Sequence, residues 1–136
     1  MSATRREIIE QFIPSSPFAR HVGIRLERLE DDRAVLLMPF SAELVTVGDV
    51  IHGGAVSTLA DTAVMAAAWA DDAVPEALAG ATVSLTVNFV APARACDLTA
   101  EAHVVRRGRS LSFCAVTVTD PDGTVVATAM GTYRFG

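Results

Sequence analysis

At 136 residues, with 51% hydrophobic side chains and only two cysteines, the chain has the size of one domain and can build a core without disulfide or metal staples. A net charge of −5 with no long basic run speaks against a nucleic-acid partner. The high apolar fraction and a mean hydropathy of +0.37 predict an oligomer with an extensive subunit interface.

Residues 1–136 are taken as one domain, of which 1–16 form an N-terminal helix and loop. Residues 1–7 hold no apolar run followed by a cleavage site, so no secretory leader is expected. Residues 4–13 predict an amphipathic helix, with Ile8, Ile9 and Phe12 on one side, that ends before Pro14 and serves as a lid or packing element. Phe18 to His21 form another helical turn, and His21 is a structural histidine. Two strand-like runs, Ile24 to Leu29 and Ala34 to Met38, flank the acidic turn Glu30-Asp31-Asp32 and read as a hairpin. Residues 39–49 are a loop in which a substrate can be gripped.

That loop leads into Val47-Gly48-Asp49-Val50-Ile51-His52-Gly53-Gly54 and then an alanine-rich run from Ala55 to Ala70. The run is apolar almost all round, so it predicts a buried central helix. Asp61 in its middle is the anomaly. A carboxylate withdrawn from water needs a hydrogen bond, a cleft or a chemical purpose. One possibility is a bond to Ser57 or Thr58 one turn back and nothing more; the other is catalysis. Asp61 also makes a membrane span costly, roughly 3 kcal/mol at a bilayer centre, and no basic anchor follows. Gly53 and Gly54 leave the first amides of the helix unshielded at the positive end of its dipole, where a carbonyl oxygen gaining charge would be held. A sharp turn or close packing is the plainer use of such a pair. Gly54 and Asp61 are separated by about 10 Å along a helix axis. If both act on one substrate, they come from two copies of the chain across a two-fold interface.

After a connection from Asp71 to Gly80, Val83, Leu85, Val87 and Phe89 alternate with Ser84, Thr86 and Asn88 as a half-buried strand that Pro92 ends. Further strands follow at 97–107, 110–119 and 124–135, with turns at Gly108 and at Asp120-Pro121-Asp122-Gly123. Met65, Trp69, Phe89 and Val90 are expected in the core, and partly along a substrate pocket. Cys96 and Cys114 stand in no metal or redox spacing, and a reducing cytoplasm is the default location. The class is α+β: an antiparallel sheet of about six strands wrapped around one long central helix.

His52-Gly53-Gly54 followed by Leu59-Ala60-Asp61, with the aspartate nine residues after the histidine, resembles the hotdog-fold thioesterases, in particular their PaaI-like branch. The run from Thr82 to Ala93, a strand ending in a Pro-Ala step, is similar too. By order of elements the resemblance extends over residues 17–135. It implies dimers with a continuous sheet, often paired into tetramers, with active sites at the dimer interface. It also implies hydrolysis of acyl-CoA thioesters without a metal or other cofactor. Asp61 matches the family's catalytic carboxylate, general base or nucleophile. Gly54, or its neighbour Gly53, matches the carbonyl-polarising amide, and Thr82 matches a hydroxyl near the catalytic water. Six residues before the histidine, where many relatives carry asparagine, stands Thr46.

The residues agree with that chemistry. A carboxylate takes a proton from water, dipole-oriented amides hold the oxyanion, and a thiolate leaves readily because its pKa is low, about 8.5 for a free thiol. His52 at the helix entrance braces the loop and joins Thr46 on the substrate-binding side, a role as base being the alternative. Arg106, Arg107 and Arg109 around Gly108 are the cations available for CoA phosphates, Arg106 and Arg109 foremost and Arg94 weaker; a solvated hairpin tip is the alternative. Two other functions compete. One is a non-catalytic acyl-CoA binding module, the other an acyl-thioester hydratase or dehydratase, for which no Asp-x-x-x-x-His pattern stands out.

Overall fold

The computed structural model describes residues 2–136; Met1, the first residue of the leader reading, lies outside them. Two helices open the chain, α1 (Arg5–Ser15) and α2 (Pro17–Val22). The hairpin β1 (Arg25–Glu30) and β2 (Arg33–Met38) follows. After a short 3-10 turn at Ala42–Leu44 come β3 (Val45–Val47), β4 (Val50–Ile51) and the central helix α3 (Gly53–Ala68). The chain closes with β5 (Gly80–Phe89), β6 (Leu98–Arg107), β7 (Leu111–Thr119) and β8 (Val125–Phe135).

Six strands form one antiparallel sheet in the order β1-β2-β6-β7-β8-β5. α3 packs across β2, β6, β7, β8 and β5, which is the arrangement the resemblance implies. Its alanines explain how it fits. Ala60, Ala63, Ala66, Ala67 and Ala68 are fully buried, so the helix backbone lies close to the strands. At Gly131 of β8 a Cβ would stand 2.6 Å from Val64 Cγ2, so glycine there is a spacing requirement. Gly131→Ala is expected to push α3 off the sheet and cost about 1–3 kcal/mol. A urea melt with lower midpoint and unchanged slope is the check.

Several expectations need correction. α1 runs through Pro14 to Ser15, because the one lost donor falls in the last turn and Ser15 Oγ donates to the carbonyls of Gln11 and Phe12. The 39–49 loop contains the 3-10 turn and half of the β3–β4 hairpin, with Gly48 at φ 58° between the two strands. Strands of three and two residues leave no periodic signal. Val83 and Phe89 are 54% and 57% exposed in the single chain, and Val90 58%, so they are not core. A bulge between Thr82 and Ser84 breaks the alternation, and β5 is the edge of the sheet. Trp69 is buried as expected, and Met65 is half-buried.

Arg107 belongs to the architecture. It pairs with Asp32 at 2.7 Å and Asp71 at 3.2 Å, and donates to the Ala68 carbonyl at 2.9 Å. A cation thus sits at the negative end of the α3 dipole. Residues on the β1–β2 turn, the end of α3 and β6 are tied together there.

Candidate active site

The site is built along one flank of α3, at its N-terminus and at its middle. At the N-terminus, His52 is the N-cap, and its Nδ1 accepts from Gly54 N–H at 2.7 Å. That bond uses Nδ1 as an acceptor, which leaves the ring N–H at Nε2. A Cβ on Gly54 would lie 2.8 Å from His52 Nδ1, so glycine is what lets the imidazole fold back. The Gly54 amide is therefore occupied. Gly53 N–H meets no acceptor among the described residues, which makes it the open amide of the pair. A Cβ on Gly53 would stand 3.3 Å from the Phe89 ring, so the end of β5 packs against the Cα side of this residue.

One helical turn inward, Thr58 Oγ1 donates to the Gly54 carbonyl at 2.8 Å and not to Asp61. Asp61 takes its hydrogen bond from across the core instead, from Thr82 Oγ1 at 2.7 Å. The bulge after Thr82 sets the register that aims this hydroxyl at α3. Asp61 is half-buried, with Oδ1 fixed by Thr82. Beside it, burial raises the Tyr133 hydroxyl's pKa, and the Asp61 charge adds to the rise, against a lowering by Trp69. Trp69 Nε1 donates to Tyr133 Oη at 2.9 Å.

The chain thus brings together Asp61 with Thr82, and His52 with Gly54. Thr46 and Gly53 line a common cavity of about 310 Å³ with Phe89, Val90 and Val56. His52 and Gly54 face another, about 290 Å³, with Thr58, His21 and Phe18. His21 is exposed and stacks on Phe18. The arginines divide. Arg107 is spent on Asp32 and Asp71, Arg106 pairs across the sheet with Phe113 on the face turned away from α3, and Arg109 is exposed at the hairpin tip. Neither Arg106 nor Arg109 joins Asp61 and Thr82. Arg94 is held by Asp49 at 2.9 Å. Burial pushes the Cys114 thiol up to about 11, so it is a protonated core group at neutral pH. Tyr133 is not singled out by the sequence; its one signal is that it is the chain's single tyrosine.

The match to known proteins gives this geometry its setting. Residues 48–127, which include the glycine pair, Asp61 and Thr82, match the thioesterase superfamily. The chain belongs to that superfamily, and its fold is the hotdog fold of those thioesterases. It superposes on a thioesterase family protein from Silicibacter pomeroyi with a TM-score of 0.87 at 29% identity, covering 97% of this chain and 99% of that one. Human acyl-coenzyme A thioesterase 13 is 26% identical over 140 residues, covering 100% of this chain and 97% of the relative. The PaaI protein of the Escherichia coli phenylacetic acid degradation operon shares the fold at a TM-score of 0.83 and 22% identity, over 97% of this chain and 94% of that one. No helix among the described residues is long and apolar enough to cross a membrane.

Proposed function

We propose that the chain is an acyl-CoA thioesterase whose active site forms between two copies, with Asp61 and Thr82 from one and Gly53 from the other. The observation that carries this reading is the pairing of a half-buried carboxylate, one oxygen held by Thr82, with an amide at the N-terminus of α3 that meets no acceptor among the described residues. In this role the free oxygen of Asp61 takes a proton from water as the water oxygen bonds to the thioester carbonyl carbon. Gly53 N–H holds the oxyanion. The C–S bond then breaks as the oxyanion collapses, the CoA thiolate leaves, and the proton held by Asp61 passes to it, which restores the carboxylate.

A second copy is favoured by the sheet edge. β5 has no neighbour on its outer side, and it carries exposed Val83 and Phe89. Another β5 running antiparallel along that edge sets the Thr82 end of one strand beside the Phe89 end of the other. The partner's Gly53, packed on its own Phe89, then approaches Asp61. A homodimer is the minimum active unit on this reading. Phe113 and Met130, exposed on the sheet face away from α3, favour further pairing into a homotetramer. Thr46 lies beside Gly53 in the cavity where the acyl-CoA carbonyl would enter. His52 orients that end through Gly54, and Arg109 and Arg106 remain for CoA phosphates. The name of the human relative, an acyl-coenzyme A thioesterase, agrees with this substrate class. Both cysteines are free, in keeping with a reducing cytoplasm.

The test is thiol release from acetyl, hexanoyl, lauroyl, phenylacetyl and hydroxybenzoyl CoA esters. Turnover of at least one of them is the expected result. Tight binding without release would replace this reading with the binding module, and hydration of an enoyl-CoA would replace it with the hydratase.

A further inference from the structure

An apolar cavity of about 340 Å³ opens between α1, the second half of α3 and the segment that leads into β5. It is lined by Ile8 and Phe12 of α1, Met65 of α3 and Trp69 at its C-cap, Leu78 and Tyr133 among others, and no charged side chain borders it. We propose that this cavity receives the acyl tail, that α1 is its outer wall, and that Ile8 and Phe12 determine how long a tail fits. This rests on the thioesterase reading and names its substrate class: medium-length apolar acyl groups.

Position carries the proposal. Met65 and Trp69 follow Asp61 by four and eight residues on the same flank of α3, about 6 and 12 Å along the axis. Tyr133 pairs with Thr82 across β8 and β5. The cavity therefore begins one turn from the carboxylate and leads away from it. A tail leaving a carbonyl at Asp61 passes Met65 and meets Trp69 after about 12 Å, roughly the reach of a ten-carbon chain. The two polar side-chain groups on its wall, Trp69 Nε1 and Tyr133 Oη, are bonded to each other, the indole donating at 2.9 Å. A volume near the lower end for small-molecule sites, which begin at about 300 Å³, suits such a tail and not a long one.

The wall is fastened by residues other than Ile8 and Phe12. Ile9 and Ile13 of α1 are buried, while Phe12 is 47% exposed and stands at the rim. Arg5 pairs with Asp71 at 2.9 Å and its guanidinium lies 3.7 Å over the Phe135 ring. Arg6 pairs with Asp72 at 2.9 Å and also with Asp31. None of these contacts uses Ile8 or Phe12, so either can change without releasing the helix.

Trp69 is the chain's single tryptophan, which gives a readout independent of turnover. S-decyl-CoA and S-methyl-CoA, thioethers that cannot be hydrolysed, are titrated while Trp69 emission is followed. The decyl compound is expected to shift the emission saturably, and the methyl compound to bind without a shift. In parallel, the ratio of kcat/KM for decanoyl-CoA to that for acetyl-CoA is expected to fall at least about tenfold in Ile8→Phe, which takes the space of several methylenes. Phe12→Ala, at a half-exposed position, is expected to move the preferred chain length upward. A decyl compound that inhibits hydrolysis but leaves Trp69 silent would overturn the proposal, as would a chain-length profile that neither variant moves. If no thioester is hydrolysed yet the decyl compound still shifts Trp69, the reaction fails and the pocket stands.

Discussion

Asp61→Asn is expected to lower kcat for acyl-CoA hydrolysis by about a hundredfold to ten-thousandfold, the contribution of one positioned base. Asparagine is nearly the same size, and its amide oxygen can still accept from Thr82 Oγ1, which now meets Oδ1 at 2.7 Å. The bond between α3 and β5 survives, and only basicity is lost. KM should change little, because the substrate is held by groups other than this carboxylate. The thermal midpoint should stay within a few degrees of the wild type, so steady-state thiol release and a melt on the same preparation separate chemistry from folding. Retention of more than a tenth of the wild-type kcat would remove Asp61 from the reaction.

Mixing two inactive variants is expected to restore activity. Gly53→Pro deletes the open N–H while keeping a residue that suits the first position of a helix. His52 already has the extended backbone, φ −60° and ψ 134°, that a following proline requires. The added ring must displace Phe89, but that side chain is more than half exposed and can give. Loss of one oxyanion donor is worth about 10²–10³ in kcat; Gly53→Ala, which keeps the N–H, reports the steric part alone. When Gly53→Pro and Asp61→Asn are unfolded together and refolded as a mixture, about half of the dimers are mixed, and each mixed dimer has one intact site of two. About a quarter of the wild-type activity should return. A site built within a single chain would return nothing beyond the two variants' own residues of activity.

Much of this was legible along the chain, because long periodic segments declare themselves. The alanine run gave away α3 and set Asp61 apart, and strict alternation located most of β5. What stayed hidden depends on contacts between distant segments. The bulge at Thr82 and Ser84 obeys pairing with β8, so the exposure of Val83 was invisible locally. Arg107 looks like its neighbours Arg106 and Arg109 until Asp32 and Asp71 are brought to it from 75 and 36 positions upstream. Gly53 and Gly54 are indistinguishable in sequence, and only the fold-back of His52 separates the occupied amide from the open one. The cavity under α1 draws on four separate stretches, which no single-segment pattern could join.

The cluster around Arg107 also bears on motion. It clamps the last turn of α3 to the β1–β2 turn and to β6, whereas the first turn is held by one imidazole and two glycines. On this distribution of ties the helix is expected to be held more firmly at Ala68 than at Gly53. Backbone amides near Ala66 should exchange with deuterium far more slowly than those near Val56. If that exchange pattern is found, a bulky ligand would be accommodated by the glycine end, with the carboxylate midway along displaced less.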